Sequence, residues 1–306
     1  MKALKGIDIE EVVVFDIETA TVVESIQEGT AIWDAWEYKM KRSSLDSGLS
    51  VAESFVDAGA LNAEFSRIVC ISVGRVKDGV VTITTYKDSD EAVLLRKFNR
   101  DLEEVSRRRP ETRLCGHSLK AFDMPFVFKR SIANGVVPCS LIDTGGAKPW
   151  ELTALDTKEL WKGSGMFNSS LVSICLALNV NSPKQDITGA DVGKVYYKEG
   201  EDGLNRIVDY CEQDVLATTN VLMKFMFREV FTDYNKSEPR ELEELNIFGE
   251  IEKNGLSVSH YAQVIKMAKG FSVKEKKALI ANMKAAMLLS GRELSNEVQL
   301  EIMSAK

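Results

Sequence analysis

The chain has 306 residues, of which 44% are apolar and 28% are charged, values that are ordinary for a folded globular protein. This composition excludes a disordered or collagen-like chain, and the length allows one large domain with an appendage, or two domains. The formal net charge of −7 argues against a protein that coats long stretches of duplex through phosphate contacts. This net charge is compatible with an enzyme that contacts only a few nucleotides.

The five cysteines lie within or beside apolar runs and form no C-x-x-C pair. We therefore expect buried free thiols in a reducing compartment. The N-terminal segment lacks the apolar stretch that is typical of a signal peptide, and no run of about 18 apolar residues occurs in the chain. The sequence predicts a cytoplasmic protein, in a bacterium or in phage-infected host cytosol, that makes no contact with membranes.

The first predicted strand is the apolar run at residues 12–15, which leads directly into an Asp-Ile-Glu segment. Continuous apolarity of this kind is typical of a strand buried on both faces. Residues 20–66 are interpreted as an insertion with some helix. Residues 68–75 and 80–86 are predicted strands joined through an Asp-Gly pair, which indicates a hairpin.

An amphipathic helix is predicted over residues 89–108, because apolar side chains recur there at helical spacing. A short strand is predicted near residues 113–116. Further helices are predicted at residues 122–134, 156–162, 170–178 and 203–227. The order of strand, hairpin, helix, strand and further helices indicates an α/β fold with a mixed sheet flanked by helices.

The composition changes to polar turn residues at 232–239, which predicts a linker. We accordingly divide the chain into a first domain, residues 1–235, and a helical C-terminal extension, residues 236–306. From Lys253 to Lys284 the extension has seven lysines and a single glutamate. These lysines suit a solvated helical face, a surface that holds a nucleic-acid backbone, or a docking surface for a replication or recombination protein.

Asp16 and Glu18 lie two residues apart at the end of the first predicted strand, so both carboxylates project from the same face of the sheet. Two neighbouring carboxylates repel one another unless a cation neutralises them, and oxygen-only ligands favour Mg²⁺ or Mn²⁺. An acidic pair on the surface at a strand end is the alternative interpretation.

Tyr210 and Asp214 are four residues apart in the last predicted helix of the first domain, so their side chains lie on the same helix face. The apolar stripe of this helix places the pair near the buried side, where Asp214 needs a cation or hydrogen-bond donors. Tyr210 alone could serve as that donor. Asp123 begins a predicted helix, a position that suits either a functional carboxylate or an N-terminal cap.

In order and content, these three motifs resemble those of the DEDD superfamily of 3′–5′ exonucleases: D-x-E at Asp16, an aromatic-Asp pair at Asp123, and Y-x-x-x-D at Tyr210. The tyrosine resembles that of the tyrosine subclass, and the chain is most similar to stand-alone relatives of the family-B DNA polymerase proofreading domain. Segments typical of that group also recur at residues 63–70, 156–161, 182–184 and 208–214. The resemblance covers about residues 11–228.

This resemblance implies a ribonuclease H-like fold and two-metal hydrolysis, with Mg²⁺ or Mn²⁺, of phosphodiester bonds at the 3′ end of DNA. Single-stranded or frayed ends are the expected substrates and nucleoside 5′-monophosphates the expected products. The resemblance implies that Asp16 bridges both ions and that Asp123 holds the leaving-group-side ion. Glu18 and Asp214 complete the nucleophile-side ion, and Tyr210 orients the attacking water.

Six residues are expected, less directly, to contact the substrate: Thr19, Phe65, His117, Ser118, Phe122 and Lys184. In the polymerase-like group an Asn usually stands five residues before the aspartate of the second motif, where it contacts the substrate. Here that position is Ser118, which is shorter and lacks the amide. For Phe65 the alternative to stacking on a base is packing in the core, and for His117 it is a structural role.

Two other functions are compatible with the sequence. The same chemistry could act on RNA, because the sequence does not show how the site meets a 2′-hydroxyl group. A nuclease-fold module that binds nucleic-acid ends without cleaving them is the second alternative. Such a module is expected to lack one or more of the five motif residues, which are all present here.

Overall fold

The computed structural model describes residues 1–42, 48–182, 187–240, 255–256, 258–269, 271–289 and 291–305. The chain divides into two compact units, Met1–Arg240 and Glu241–Lys306. None of the helices within the described ranges has the length and apolar character needed to cross a membrane.

The first unit is built on a mixed six-stranded sheet. Its strands are β1 (Val12–Thr21), β2 (Ser66–Lys77), β3 (Val80–Lys87), β4 (Arg113–Gly116), β5 (Leu155–Asp156) and β6 (Asn235–Ser237). They lie in the order β5-β4-β1-β2-β3-β6. Among these six strands, β2 runs opposite to the other five.

Strands β2 and β3 form the hairpin that the sequence predicts. They pair antiparallel up to Lys77 opposite Val80. The turn residues Asp78 and Gly79 both have positive φ, +50° and +77°. A two-residue turn with this backbone matches the twist of the flanking strands, which is why the Asp-Gly pair is a reliable hairpin signal.

Helices cover both faces of this sheet. They are α1 (Ala31–Arg42), α2 (Val51–Ala58), α3 (Glu91–Arg108), α4 (Asp123–Ala133), α5 (Thr157–Lys162), α6 (Leu171–Leu178), α7 (Val192–Lys198) and α8 (Gly200–Phe225). Helices α3 and α4 share one hydrophobic core with the sheet, and α6 and α8 share another on the opposite face. The sheet is thus the middle of three layers.

The central strand β1 is apolar on both sides, as its sequence predicts. Val13 and Ile17 belong to the core shared with α3 and α4, whereas Val14 belongs to the core shared with α8. Because side chains alternate along a strand, the same alternation places Asp16 and Glu18 on the α8 side. The fold therefore directs both carboxylates toward the longest helix of the unit.

The second unit contains three helices within the described residues: α9 (Val258–Ala268), α10 (Val273–Leu289) and α11 (Asn296–Ser304). They share a core of their own, which includes Val264, Met283, Leu294 and Ile302. The predicted architecture, a mixed α/β sheet flanked by helices with a C-terminal helical extension, is confirmed.

The structure differs from the sequence interpretation at the predicted linker, residues 232–239. Part of this segment is β6, which pairs in parallel with β3 from Asn235 to Ser237, and the first compact unit continues to Arg240. The three residues of β6 are polar and exposed, so they carry no alternation of apolar side chains that would signal a strand.

Candidate active site

Strand β1 and helix α8 bring three potential ligand groups into one cluster. A carboxylate oxygen of Asp16, a carboxylate oxygen of Glu18 and the Cys211 sulfur all lie within 4.8 Å of one another. The strand pairing shifts by one residue between Glu18 and Thr19. Such an irregularity bends a strand next to the side chains that it presents.

Helix α8 carries Tyr210 and Asp214 one turn apart, as the sequence predicts. The Tyr210 hydroxyl is hydrogen-bonded to the Asp214 carboxylate. Cys211, on the neighbouring position of the helix, lies with its sulfur 3.4 Å from the backbone oxygen and 3.6 Å from the Oδ2 of Asp16. This helix therefore contacts the strand that carries Asp16 at the level of the carboxylates.

Asp123 is the first residue of α4 and is buried. Its Oδ1 accepts a hydrogen bond of 3.2 Å from the backbone N–H of Ile17, the residue between Asp16 and Glu18. Asp123 thus reaches β1 from the opposite layer, and its contact is to the strand and not to a neighbouring turn of its own helix. The geometry goes beyond a helix cap, which was the alternative interpretation of this residue.

The four carboxylates lie close enough to one another for their charges to interact. Burial raises the pKa of Asp16 well above its usual range, and the charges of Asp123 and Asp214 raise it further. Burial also raises the pKa of Glu18, with Asp16, Asp214 and Asp123 adding to the effect. Burial raises the pKa of Asp123 to about 8 and that of Asp214 to about 6. A site that brings several buried carboxylates together in this way favours the binding of cations.

The carboxylate of Glu18 fits a cation ligand most directly. Its side chain is only 7% exposed, yet within the described part of the chain it accepts no hydrogen bond. A buried carboxylate without donors is costly unless a cation satisfies it. The Cys211 thiol is a different case, because burial and the neighbouring Cys70 raise its pKa and so favour the protonated donor over a thiolate ligand. The oxygen-rich donor set suits Mg²⁺ or Mn²⁺.

Asp156 organises the loop between β4 and α4, a role that the sequence interpretation missed. Its carboxylate accepts hydrogen bonds from the backbone N–H groups of Ser118 (3.1 Å) and Lys120 (3.2 Å). It also caps α5 by accepting from Lys158 (3.0 Å) and Glu159 (3.4 Å). An Asp directly before a helix is a recognisable capping signal, but its second set of partners is visible only in the structure.

Ser118 adopts a left-handed backbone conformation, with φ of +67°. Its hydroxyl accepts a hydrogen bond of 2.9 Å from the Lys158 ammonium group. The adjacent His117 is half-buried, and its Nδ1 lies 3.1 Å from the Thr157 hydroxyl. The Lys158 ammonium group and the His117 imidazole therefore both lie at the loop that leads to Asp123.

Three more residues are predicted from the sequence to contact the substrate: Thr19, Phe122 and Lys184. Thr19 is buried and donates a hydrogen bond of 2.8 Å to the backbone oxygen of Ala60. Phe122 is half-buried against Phe126, with ring centroids 5.2 Å apart. Lys184 lies outside the described residues.

Phe65 is buried in an aromatic cluster of the inserted helices. Its ring packs edge-on against Trp36, with centroids 5.0 Å apart, and against Phe55 at 6.5 Å. Trp36 is fully buried in the same cluster. This placement agrees with the alternative in which Phe65 packs in the core. The ring is not exposed, so the structure does not support the prediction that Phe65 stacks on a base.

Comparison with known proteins identifies a family for most of the chain. A family described as a predicted 3′–5′ exonuclease related to the exonuclease domain of PolB matches residues 60–262, about two-thirds of the chain. The matched range includes Asp123, Tyr210 and Asp214, whereas Asp16 and Glu18 precede it. No curated protein matches the chain.

Among solved structures, the family B DNA polymerase from the hyperthermophilic archaeon Pyrobaculum calidifontis is similar, with a TM-score of 0.41 and 14% sequence identity. The match covers 91% of this chain and 28% of the polymerase chain. The chain thus corresponds to little more than a quarter of that polymerase. On the match over most of its length, the chain belongs to the family of predicted 3′–5′ exonucleases related to the exonuclease domain of PolB.

Proposed function

We propose that the protein is a metal-dependent 3′–5′ exonuclease of the tyrosine subclass of DEDD enzymes. It hydrolyses phosphodiester bonds at single-stranded or frayed 3′ ends of DNA and releases nucleoside 5′-monophosphates. The observation that carries this proposal is the convergence of four carboxylates from three separate elements, β1, α4 and α8, beside the Tyr210 hydroxyl. Membership of the exonuclease family supports the same reaction class.

In this proposal the carboxylates hold two divalent cations, Mg²⁺ or Mn²⁺. Asp16 would contribute to both cation sites, Glu18 and Asp214 to the one on the nucleophile side, and Asp123 to the one on the leaving-group side. Cations held by these carboxylates would supply an activated water and neutralisation of the charge that builds up in an in-line displacement at phosphorus. Four ionised carboxylates carry −4, which two divalent cations balance, so the loaded pocket presents no net repulsion to a phosphate.

Tyr210 has the position to orient the attacking water. Burial and the nearby carboxylates of Asp214, Glu18 and Asp16 raise the pKa of its hydroxyl, so it stays protonated at neutral pH. A protonated hydroxyl hydrogen-bonded to Asp214 fixes the direction of one donor in the pocket. It does not serve as the base, because a phenol of raised pKa does not ionise under these conditions.

The lysines of the second unit supply a candidate contact for the nucleic-acid backbone. Five of them are exposed: Lys266, Lys269, Lys274, Lys277 and Lys284. Lys276 differs, since it is buried and its ammonium group donates to the Ala305 carbonyl at the end of α11. We propose that the exposed lysines contact phosphates. The alternative is that this surface docks another protein. The salt dependence of DNA binding distinguishes the two roles.

The test of the proposed reaction uses a 5′-labelled oligonucleotide with a free or blocked 3′ end, as single-stranded DNA, duplex DNA or RNA. We expect stepwise shortening of the free single-stranded DNA with Mg²⁺ and none with chelator. Asp16→Ala and Asp214→Ala should abolish it. Asp209→Ala is the matched control, because Asp209 lies on the same helix but is exposed. Full activity of either site variant would contradict the assigned ligands, and faster shortening of RNA would contradict the assigned substrate.

A further inference from the structure

The loop between α5 and α6 presents two large apolar side chains to solvent. Met166 is 86% exposed and Phe167 is 84% exposed. Neither belongs to a hydrophobic cluster formed by the described residues. The loop starts at Gly163, whose positive φ of +52° turns the chain away from α5. Solvent exposure of neighbouring Met and Phe side chains on a loop tip is typical of a contact surface.

The helices at both ends of this loop adjoin elements that carry the carboxylate pocket. On the α5 side, the Thr157 hydroxyl lies 3.1 Å from the Nδ1 of His117, in the loop that leads to Asp123. On the α6 side, Cys175 packs in the same hydrophobic core as Val215, the residue next to Asp214 on α8. Met166 and Phe167 therefore lie on a loop anchored beside the pocket and not at a remote surface.

An apolar contact beside the pocket adds to substrate binding whether or not cations are bound. In the metal-free pocket, a single strand that reaches the carboxylates brings its own negative phosphates into a region of like charge. Base stacking on an aromatic ring is insensitive to this charge and tolerates any base, since every base has a π-face. An exposed phenylalanine beside the pocket supplies such a surface, and the Met166 thioether adds an adaptable apolar contact.

We propose that Met166 and Phe167 form a platform on which bases near the 3′ end of a single strand stack. This inference rests on the proposed function, since the occupant is the substrate strand. The platform acts on binding and not on the chemical step, because neither side chain has a group that exchanges protons or binds a cation. Phe167 carries the larger part, and Met166 supports the adjacent base.

The experiment measures binding of single-stranded oligonucleotides that carry 2-aminopurine at each of the last four positions, with chelator present to stop hydrolysis. Stacking changes the fluorescence of 2-aminopurine, so the emission reports which base contacts the ring. We expect Phe167→Ala to weaken binding about tenfold and to restore the emission at one or two positions. Phe167→Trp should retain both the affinity and the emission change, and Phe167→Leu should retain neither fully.

Phe227→Ala is the matched control, because Phe227 is 87% exposed and follows the end of α8, which lies about 17 Å along the helix axis from Asp214. It should bind like the wild type. Activity with Mg²⁺ is measured in parallel, where Phe167→Ala should raise KM and leave kcat nearly unchanged. Equal affinity and equal emission for wild type and Phe167→Ala would overturn the platform.

The two proposals fail in different ways. If the wild type shortens DNA but Phe167→Ala binds and reacts identically, the platform is wrong and the exonuclease function stands. If the wild type binds the strand through Phe167 but never shortens it with Mg²⁺ or Mn²⁺, the platform stands and the exonuclease function is wrong. A wild type that neither binds nor cleaves any strand contradicts both.

Discussion

Ser118 combines a strained backbone with a polar contact. Its φ of +67° lies in the left-handed region, which costs a residue with an ordinary side chain about 1–2 kcal/mol. Asn and Gly enter this region more readily. The backbone conformation thus gives a physical reason for the Asn that is usual here in the polymerase-like group: Asn relieves the strain and also supplies an amide.

Replacing Ser118 with Asn should raise the free energy of unfolding by about 0.5–1 kcal/mol, because Asn tolerates positive φ and its side-chain oxygen can still accept from Lys158. Urea denaturation of the full chain checks this. Ser118→Gly is the control, since it relieves the backbone without adding an amide. If only the Asn variant also binds the oligonucleotide more tightly, the amide contacts the strand. A less stable Asn variant would contradict the strain argument.

The raised pKa of Asp123 predicts how the metal-free protein responds to pH. The folded protein retains a proton on Asp123 up to about pH 8, whereas the unfolded chain releases it near the ordinary value of 3.8. This contribution to stability is therefore fully present at low pH and is lost as the pH rises toward 8. With chelator present, the free energy of unfolding should fall between pH 5 and 8, by up to about 1.4 kcal/mol per pH unit for one fully linked proton.

Two comparisons by urea denaturation test whether Asp123 contributes to this pH dependence of stability. Asp123→Asn should reduce the pH dependence, because the amide carries no titrating proton, and the part that remains comes from Asp16, Glu18 and Asp214, whose pKa values are also raised. Millimolar Mg²⁺ should restore stability at pH 8, because a cation that binds only the folded state stabilises it by mass action. A pH dependence that is the same with and without Asp123, or with and without Mg²⁺, would contradict the assigned pocket.

The motif residues could be predicted because their spacing is tied to local geometry. A two-residue step on β1 and a four-residue step on α8 each fix a common direction for the side chains involved. The contact of Cys211 with Asp16 could not be predicted, since it joins residues 195 positions apart and Cys211 is not one of the motif residues. The burial of Phe65 could not be predicted either, because its ring partners come from an insertion whose sequence shows little hydrophobic periodicity.

At the scale of elements, Glu212 links α8 to two strands. Its carboxylate is buried and accepts from the hydroxyls of Thr85 on β3 and Tyr234, both at 2.9 Å. It also forms an ion pair of 2.7 Å with Lys236 on β6. Since Asp214 lies half a turn further along the same helix, these contacts fix the position of α8 against the sheet.

Glu212→Ala should lower the free energy of unfolding by about 1–3 kcal/mol, because it leaves several hydrogen-bonding groups without their buried partner. Activity per folded molecule should be retained, which separates Glu212 from the carboxylates of the pocket. Asp209→Ala removes an exposed partner of the same lysine and should cost about 0.5 kcal/mol or less. Equal losses for the two variants in urea denaturation would contradict this account.

The elements with strong periodicity were predicted well, and those without it were not. Helix α3 and the β2–β3 hairpin agree with their predicted ranges within a few residues because pattern and turn chemistry point the same way. The two-residue strand β5 and the exposed strand β6 depend on pairing with neighbours that are distant in sequence. Such strands have no local signal.

At the scale of the whole molecule, charge is divided unevenly between the two units. The acidic pocket lies in the first unit, and the exposed lysines of the second unit lie on α9, directly after it at Lys269, and on α10. Replacing Lys266, Lys269 and Lys274 with Ala should weaken binding of single-stranded DNA. It should also lower the slope of log affinity against log salt by about 2 if each lysine neutralises one phosphate. Fluorescence anisotropy over a salt series measures this slope.

The control for that experiment replaces three exposed lysines of the first unit, Lys2, Lys5 and Lys77, with Ala. It removes the same formal charge and should leave the slope unchanged. If both triple variants lower the slope equally, a general charge effect explains the result. An unchanged slope for the second-unit variant favours a surface that docks another protein.

Strand β6 has a consequence for the solubility of shortened chains. Its three residues pair with β3 at the margin of the sheet, where backbone N–H and C=O groups would otherwise face solvent. A chain cut before Asn235 loses this cover, and the outer edge of the eight-residue strand β3 becomes fully unpaired, which makes it a template for association with other molecules. Self-association, and not merely weaker substrate affinity, is therefore the expected fate of such a fragment.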